Sequence, residues 1–348
     1  MRSQTARDLL VAVFFLALFA AMPFLLDGRY YLGQIILVFF YAIVASQWNL
    51  VFGMAGIFSL AQMALFAFGA YTTAMLGFYL DWSVWAAMPV AGLATIFVSV
   101  LIGLACLRLT GAYVALLTLA ITQVMYFLIV TDTECFMMEG VRCRQFTGGA
   151  VGFSQFGDLG TRQAFRGDWL IANYFIVMGL LIISLLFTYL IVRSPMGLAF
   201  RALRDNPGYA ISRGINRFKY QVLVFALSAF FTGMAGGLWA SHFRAIGPNL
   251  MNLSLLLFVL AMIVVGGVGR FWGALVGAIL LVGADEIMRE FGEFRTLGLG
   301  LILAFFVVVM PQGVLGVLEN AWDRLRRKPE PSPEPSLAKK GEEHAARS

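Results

Sequence analysis

Long apolar stretches, separated by short polar segments, make up most of this chain. Ten of them are candidate membrane spans, although a helix needs roughly 20 residues to cross a lipid bilayer and two of the ten are shorter. They cover residues 9–26, 32–51, 58–80, 84–107, 112–130, 169–192, 220–240, 253–265, 271–288 and 297–310. Their apolar residues are continuous rather than alternating, which favours helices over a β-barrel. The pattern predicts an all-α polytopic membrane protein with about ten transmembrane helices.

Three of these stretches are short or broken. Residues 58–80 are interrupted by polar side chains such as Ser59 and Gln62. Residues 253–265 and 297–310 are shorter than a full crossing requires. Each of the three could be a half-span or a re-entrant segment.

The most basic segment between two apolar stretches is residues 193–219. Six basic residues and one acid lie in it: Arg193, Arg201, Arg204, Arg213, Arg217, Lys219 and Asp205. A short loop with such an excess of positive charge belongs on the cytoplasmic side. Asn206 is a favoured N-cap, Pro207 suits a first helical turn, and Gly214 can end a helix. We therefore predict a helix of about two turns over residues 207–213, which either anchors the topology or is presented to a partner.

Charge elsewhere predicts how the chain crosses the membrane. Residues 131–168 hold four basic and five acidic residues, and a loop without a basic excess suits the outside. Residues 9–26 lack a clear cleavage site, so we predict a retained first span rather than a signal peptide. Ten crossings place both termini in the cytoplasm. Residues 1–328 form the transmembrane domain, and the Pro/Ser/Glu-rich residues 329–348 form a disordered cytoplasmic tail.

Composition excludes several classes of protein. The chain of 348 residues is 60% hydrophobic, against about 45–50% apolar residues in soluble domains. The net charge of +6 is attributed to span ends and cytoplasmic segments, so no nucleic-acid partner is predicted. No lysine lies in a phosphate-binding loop of the P-loop type, so ATP, if used, binds another subunit. The sequence shows no set of residues typical of an enzyme active site and no metal-binding site, and no cofactor is predicted.

Ionisable residues are missing from the middle of every apolar stretch, which weakens a proton- or ion-coupled mechanism. The polar residues in the stretches are uncharged: Gln47, Asn49, Ser59, Gln62, Thr72, Thr73, Thr118, Thr122, Gln123, Ser228 and Thr232. Each either lines a pathway for a zwitterion or bonds a neighbouring helix, and bonding is the commoner role. GxxxG spacings at Gly269, Gly273 and Gly277, and at Gly233 and Gly237, predict close helix packing.

Two cysteines share the loop of residues 131–168. Cys135 and Cys143 could form a disulfide if this loop faces an oxidising compartment. Two free thiols are the alternative, because spacing alone does not establish disulfide geometry.

Several motifs, in order, resemble the permease subunits of branched-chain amino-acid ABC importers over about residues 32–318. They are Gly56, Ser59-Leu60, Ala64 and Gly69-Ala70-Tyr71; Thr147-Gly148-Gly149 with Gly152; Arg201-Ala202, Arg204-Asp205-Asn206 and Gly214-Ile215; Gly266-Gly267 with Gly269; and Pro311-Gln312-Gly313. Ala61 stands where that family commonly has glycine. Pro207-Gly208 replaces the more usual acidic or small residues.

The resemblance implies a membrane-spanning subunit of an ATP-driven importer in the bacterial inner membrane. It implies cytoplasmic ABC ATPase subunits, a second homologous permease subunit and a periplasmic solute-binding protein as partners, besides membrane lipid. The ATPase-coupling loop would use Arg201, Arg204, Asp205, Asn206, Pro207 and Gly214. The substrate pathway would include Ser59, Gln62, Tyr71, Thr147, Gly148 and Gly149. Arg204, Asp205 and Asn206 would fix the coupling helix against the ATPase.

Two other functions fit the same sequence. One is an ABC permease for another small polar solute, such as urea, an amide or a ribose-like sugar, which substrate competition would reveal. The other is a stand-alone secondary transporter or channel, recognised by transport without an ATPase. The charge-free spans and the basic helical loop both count against the second.

Overall fold

The computed structural model describes residues 2–25, 28–106, 109, 111–139, 142–154, 156–165, 167–310 and 312–326. The tail of residues 329–348 and Pro311 lie outside this part of the chain. Within it, five helical segments are long and apolar enough to cross a membrane: Arg29–Met54, Val84–Cys106, Ala112–Val130, Trp169–Arg193 and Arg217–Phe243. The chain is a multi-pass membrane protein.

Helices dominate the fold. In chain order they are α1 Arg2–Leu25, α2 Arg29–Asn49, α3 Gln62–Tyr79, α4 Val84–Cys106, α5 Ala112–Val130, α6 Thr161–Ala164, α7 Trp169–Arg193, α8 Pro195–Asp205, α9 Pro207–Ser212, α10 Arg217–Phe243, α11 Leu253–Gly266, α12 Gly273–Arg289, α13 Arg295–Val309 and α14 Gly313–Arg326. A π-helical turn, Leu50–Met54, extends α2, and 3-10 turns occupy Pro248–Met251 and Gly292–Phe294. Each of the ten apolar stretches contains one long helix, and the broken and short stretches correspond to α3, α11 and α13.

Within the described residues, four short strands lie in the polar loops. They are β1 Met137–Glu139, β2 Arg142–Arg144, β3 Phe153–Ser154 and β4 Ala245–Ile246. β1 and β2 form an antiparallel hairpin, and β3 pairs with β4. The predicted all-α class therefore holds for the membrane-embedded part but misses these strands, which lie in polar loops where no apolar alternation marks them.

Helix α10 packs closely against α3 and α4, and glycines make the contact possible. A Cβ atom on Gly236 would lie 2.0 Å from the carbonyl oxygen of Phe66. A Cβ atom on Gly69 would lie 2.3 Å from the carbonyl oxygen of Gly233. No side chain fits in these spaces, so the backbones of α3 and α10 touch directly. The predicted role of Gly233 in close packing is confirmed.

A second group of helices packs around α2, with α7 on one side and α12 on the other. Within this group α11 and α12 meet at glycines. A Cβ atom on Gly277 would lie 1.8 Å from the carbonyl oxygen of Met262, and one on Gly273 would lie 2.4 Å from that of Gly267. This confirms the close packing predicted from the GxxxG spacing of Gly273 and Gly277.

The loops predicted to be cytoplasmic contact one another at one end of the bundle, where Arg204 reaches Gly53. The loops predicted to be external meet at the opposite end, where the side chains of Tyr30 and Glu286 are hydrogen-bonded. In both cases, segments that the charge pattern predicts to share a side contact each other.

Three regular elements near the predicted cytoplasmic side were not predicted: the π-helical turn Leu50–Met54, helix α8 and helix α14. Helix α8 does carry start signals, because Ser194 caps it and Pro195 occupies its first turn. The sequence of α14 alternates apolar and charged residues with a helical period, so it contains no continuous apolar run from which the helix could be predicted.

Candidate functional site

The basic loop folds into two short helices joined at Asn206. The Ser194 hydroxyl accepts a hydrogen bond from the Met196 amide at 3.2 Å and starts α8. The Asn206 side chain accepts one from the Tyr209 amide at 3.0 Å and starts α9, with Pro207 in the first turn. Gly214 has a φ of +84° just after α9. The predicted capped helix is confirmed, and its cap marks the end of a second, longer helix.

Arg201 ties this loop to the preceding span. Its Nη2 donates to the carbonyl oxygen of Val192 at 2.7 Å, and its Nε donates to that of Gly197 at 3.3 Å. Carbonyls at the end of a helix lack partners in the helix, so Arg201 satisfies one at the end of α7. It holds α8 in a fixed orientation against α7.

Arg204 points inward, to the break between α2 and α3. Its Nη1 donates to the carbonyl oxygen of Gly53 at 2.5 Å, while its Nε pairs with Asp205 at 2.9 Å. A Cβ atom on Gly56 would lie 2.4 Å from Cγ of Arg204, and Gly56 has a φ of +71°. Glycine is therefore required at position 56 both by space and by backbone conformation.

The break itself is joined to the turn between α11 and α12. The Asn49 side chain donates to the carbonyl oxygen of Arg270 at 2.8 Å and accepts from the Gly269 amide at 2.9 Å. A Cβ atom on Gly53 would lie 2.4 Å from the Gly269 nitrogen. The similar motifs at Gly53–Gly56 and Gly266–Gly269 thus lie against each other, on one side of the protein.

Arg270 extends this junction to the last described helix. Its Nη1 donates to the carbonyl oxygen of Gln312 at 2.5 Å, and its Nε pairs with Glu319 of α14 at 3.1 Å. The junction therefore connects four segments: the loop with α8 and α9, the break after α2, the α11–α12 turn and α14.

Three of the predicted pathway residues lie along α3 and just before it. Ser59 and Gln62 are each 4% exposed. The Ser59 carbonyl accepts from the Trp48 indole at 2.7 Å, and the Gln62 amide donates to the Thr232 hydroxyl at 2.6 Å. These polar groups hold helices together, whereas the hydroxyl of the buried Tyr71 has no hydrogen-bond partner among the described residues.

Thr147, Gly148 and Gly149 lie in the loop of residues 131–168, which is predicted to be external, beyond the far end of α3. The Thr147 amide and hydroxyl both bond one carboxylate oxygen of Asp132, each at 2.6 Å. Gly148 and Gly149 have φ angles of +81° and +57°. The Tyr79 hydroxyl at the end of α3 donates to the carbonyl oxygen of the neighbouring Phe146 at 2.9 Å.

Helix α3 thus runs between the two predicted groups of site residues. Gln62 begins it near the junction, and Tyr79 ends it at the Thr147 loop. The structure brings Arg204 and Asp205 together but does not bring Thr147 to Ser59 or Gln62.

Four residues of the junction were missed as site residues: Asn49, Gly53, Gly269 and Arg270. Asn49 is a polar residue near the end of an apolar stretch, and the Gly-x-x-Gly echo was a signal for the two glycines. Nothing in the sequence indicates that the two motifs meet.

In the same loop of residues 131–168, Cys135 is disulfide-bonded. The side chain of Cys143 lies outside the described part of the chain, although its backbone pairs with Met138 in the β1–β2 hairpin. Cys106 is a buried free thiol in α4.

Comparison with known proteins supports one family. The sequence model of the branched-chain amino acid transport system permease component matches residues 30–310. The high-affinity branched-chain amino acid transport system permease protein LivM of Escherichia coli is 31% identical over 90% of this chain and 76% of its own. The LivH protein of the corresponding system in Salmonella typhimurium is 24% identical over 79% of this chain and 91% of its own.

A shorter match joins this chain to a sugar permease. The ribose import permease protein RbsC of Haemophilus influenzae is 33% identical over 27% of this chain and 30% of its own. No solved structure matches the chain significantly. On the family match and the extent of the LivM similarity, this chain belongs to the family of branched-chain amino acid transport system permease components.

Proposed function

We propose that this chain is the membrane-spanning permease subunit of an ATP-driven importer. It carries branched-chain amino acids (leucine, isoleucine and valine) inward across the bacterial inner membrane. The observation that carries the proposal is the loop α8–α9, a rigid basic structure locked onto the break before α3 by Arg204. The LivM and LivH similarities support the class of substrate.

The partners follow from the same proposal. ATP is hydrolysed by separate cytoplasmic subunits, which push on α8 and α9. A second permease of this family completes the pathway, and a periplasmic binding protein delivers the substrate. In this arrangement the chain has ten transmembrane helices with both termini in the cytoplasm, and α8, α9 and the junction lie on the ATPase side.

Site roles follow the geometry. Arg201, Pro207, Gly214 and the Asn206 cap shape the surface that the ATPase contacts. Arg204 passes motion of that surface to the Gly53 carbonyl, and from there to α3. Ser59, Gln62 and Tyr71 face the substrate pathway when α3 moves, and the Thr147–Gly149 turn holds its external end.

Co-purification tests the class of protein. We expect the tagged chain, extracted gently from its native membrane, to bring a P-loop ATPase and a second permease with it. Vesicles containing that complex should take up leucine only with ATP inside and binding protein outside. Uptake by the chain alone without ATP would show a secondary transporter or channel instead.

A variant tests the coupling role. Replacing Asp205 and Asn206 together with alanine removes the cap of α9, worth about 1 kcal/mol, and the Arg204 ion pair. We expect ATP hydrolysis to continue while uptake falls, with unchanged insertion into the membrane. Unchanged uptake in this variant would remove the coupling role.

The local similarity to a ribose permease makes a related solute the second candidate. Competition distinguishes the two: an excess of unlabelled valine should abolish leucine uptake, whereas ribose and urea should leave it unchanged. Competition by ribose alone would move the substrate to the sugar class.

A further inference from the structure

A cavity lies beside the Arg204 contact, on the predicted cytoplasmic side. We propose that it binds a small aliphatic carboxylate from the cytoplasm. Its volume is about 250 Å³. The walls come from the Ala55–Phe58 turn, the segment before α5, helix α8, Pro207 and the first turn of α10. The proposal relies on the proposed function only for the side of the membrane that the cavity faces.

The cavity has one uncompensated positive charge. Its lining includes Arg204 and Arg217, and no Asp or Glu is among the described residues that line it. Arg204 is paired with Asp205. Arg217 makes no hydrogen bond or ion pair with the rest of the described chain. A single free guanidinium is matched by an anion of charge −1, which it can bind through two parallel hydrogen bonds.

Gln221 is a second unpartnered polar group in the wall. It is 6% exposed, and its amide has no hydrogen-bond partner in the part of the chain that the structure describes. The amide is not among the fully enclosed groups without a partner, so it reaches the open space of the cavity. An amide donor beside Arg217 therefore indicates a ligand that accepts hydrogen bonds at this position.

The position of these groups in α10 adds to the attraction for an anion. Arg217 is the first residue of this helix of 27 residues, and Gln221 follows one turn later. Unpaired amides at a helix N-terminus carry a partial positive charge, which favours anions. The first turn of α10, with the Arg217 guanidinium and the Gln221 amide, therefore forms the part of the wall that favours an anion.

Besides Arg204, most of the other side chains in the wall are apolar, and the cavity volume limits the size of the ligand. Ile57, Val114 and Phe200 line it. The volume of about 250 Å³ is below the range of about 300–1,000 Å³ for drug-sized ligands. A carboxylate with a short branched chain fits both the charged and the apolar part of this wall. Phosphate fits neither, because it has no apolar part and carries a charge near −1.5 to −2 at about neutral pH.

Two sources of this chemistry exist in the cytoplasm: an amino acid such as leucine, and the corresponding 2-oxo acid. The experiment titrates the purified full-chain complex, without ATP, with L-leucine, with 4-methyl-2-oxopentanoate and with inorganic phosphate. Isothermal calorimetry measures each affinity. Binding of both carboxylates, or of the oxo acid alone, tells whether the site tolerates an ammonium group.

Variants separate this cavity from the transport pathway. We expect Arg217→Gln to weaken carboxylate binding at least tenfold and Gln221→Leu to weaken it several-fold. Arg217→Lys should give an intermediate loss, because it keeps the charge but not the paired hydrogen bonds. The matched control is Arg213→Gln in the same loop, which should bind as the unchanged protein does. Arg213 lies outside the cavity, over the Tyr209 ring.

The outcomes distinguish this proposal from the proposed function. A complex that takes up leucine with ATP, but binds neither carboxylate in an Arg217-dependent manner, would overturn the cavity alone. Phosphate binding as tight as that of the carboxylates would overturn it as well. Arg217-dependent binding in a preparation without ATP-driven uptake would support the cavity and overturn the importer.

Discussion

At the residue scale, two buried tyrosines differ in what their hydroxyls bond. The Tyr174 hydroxyl donates to the Phe19 carbonyl oxygen at 2.7 Å. The Tyr71 hydroxyl has no partner among the described residues, although its side chain is only 5% exposed. Because an unpaired buried hydroxyl costs free energy, the Tyr71 hydroxyl does not add to the stability of this conformation.

Replacing each tyrosine with phenylalanine tests that difference. Tyr71→Phe should leave the melting temperature of the detergent-extracted complex unchanged or higher, while leucine uptake falls several-fold. Tyr174→Phe should lower stability by about 1 kcal/mol and leave uptake per folded complex unchanged. Thermal unfolding and vesicle uptake measure the two effects. Full uptake by Tyr71→Phe would remove this hydroxyl from the pathway.

Arg204 and Arg213 are a second informative pair, since they lie nine residues apart in the same loop. Arg204 bonds the Gly53 carbonyl, whereas the Arg213 guanidinium bonds the hydroxyl of Tyr209, four residues earlier. We expect Arg204→Ala to reduce uptake about tenfold, since hydrogen bonds to charged groups contribute about 1.5–3 kcal/mol. Arg213→Ala should have little effect. Equal losses in the two variants would indicate a general requirement for positive charge.

Sequence alone predicted the residues that act locally and missed those that act across the fold. Asn206 and Gly214 obey rules set by their immediate neighbours, so their roles could be predicted. The hydrogen-bond partners of Asn49 are Gly269 and Arg270, which lie about 220 residues away along the chain. Such a contact depends on how helices pack, and no spacing rule describes it.

At the element scale, the helices that touch through glycine are the most sensitive to added volume. Gly236→Ala would place a methyl group against the Phe66 carbonyl, and overpacking of this kind costs about 1–3 kcal/mol. Gly179 in α7 is the matched control, because nothing lies within 4 Å of its Cβ position. We expect Gly236→Ala to lower the melting temperature and Gly179→Ala to leave it unchanged or raise it. Similar melting temperatures would contradict the tight contact.

The sequence predicted long apolar helices well and irregular elements poorly. Continuous apolar runs set the positions of α4, α5 and α7 almost to the residue. The π-helical turn Leu50–Met54 lies inside such a run, where composition does not distinguish it from α-helix. At this turn, Asn49 and Gly53 contact the α11–α12 turn, and hydropathy cannot predict such a contact.

At the scale of the whole molecule, the number of crossings determines which loops share a side. Val151 is 92% exposed in the loop of residues 131–168, and Ser212 is exposed at the end of α9. We expect a membrane-impermeant maleimide to label Val151→Cys in intact spheroplasts. Ser212→Cys should be labelled only after the membrane is opened. Labelling of both from one side would contradict an odd number of crossings between them.

The direct backbone contacts between α3 and α10 also have a mechanical consequence. Helices without free volume between them cannot slide independently, so α3, α4 and α10 act as a rigid lever. Its fulcrum is the irregular segment of residues 50–61, beside Arg204. From Gln62 to Tyr79 the lever is about 26 Å long, so a tilt of about 5° would displace its outer end by about 2 Å. That is enough to break the hydrogen bond between Tyr79 and the Phe146 carbonyl, and with it the closure of the external loop over α3.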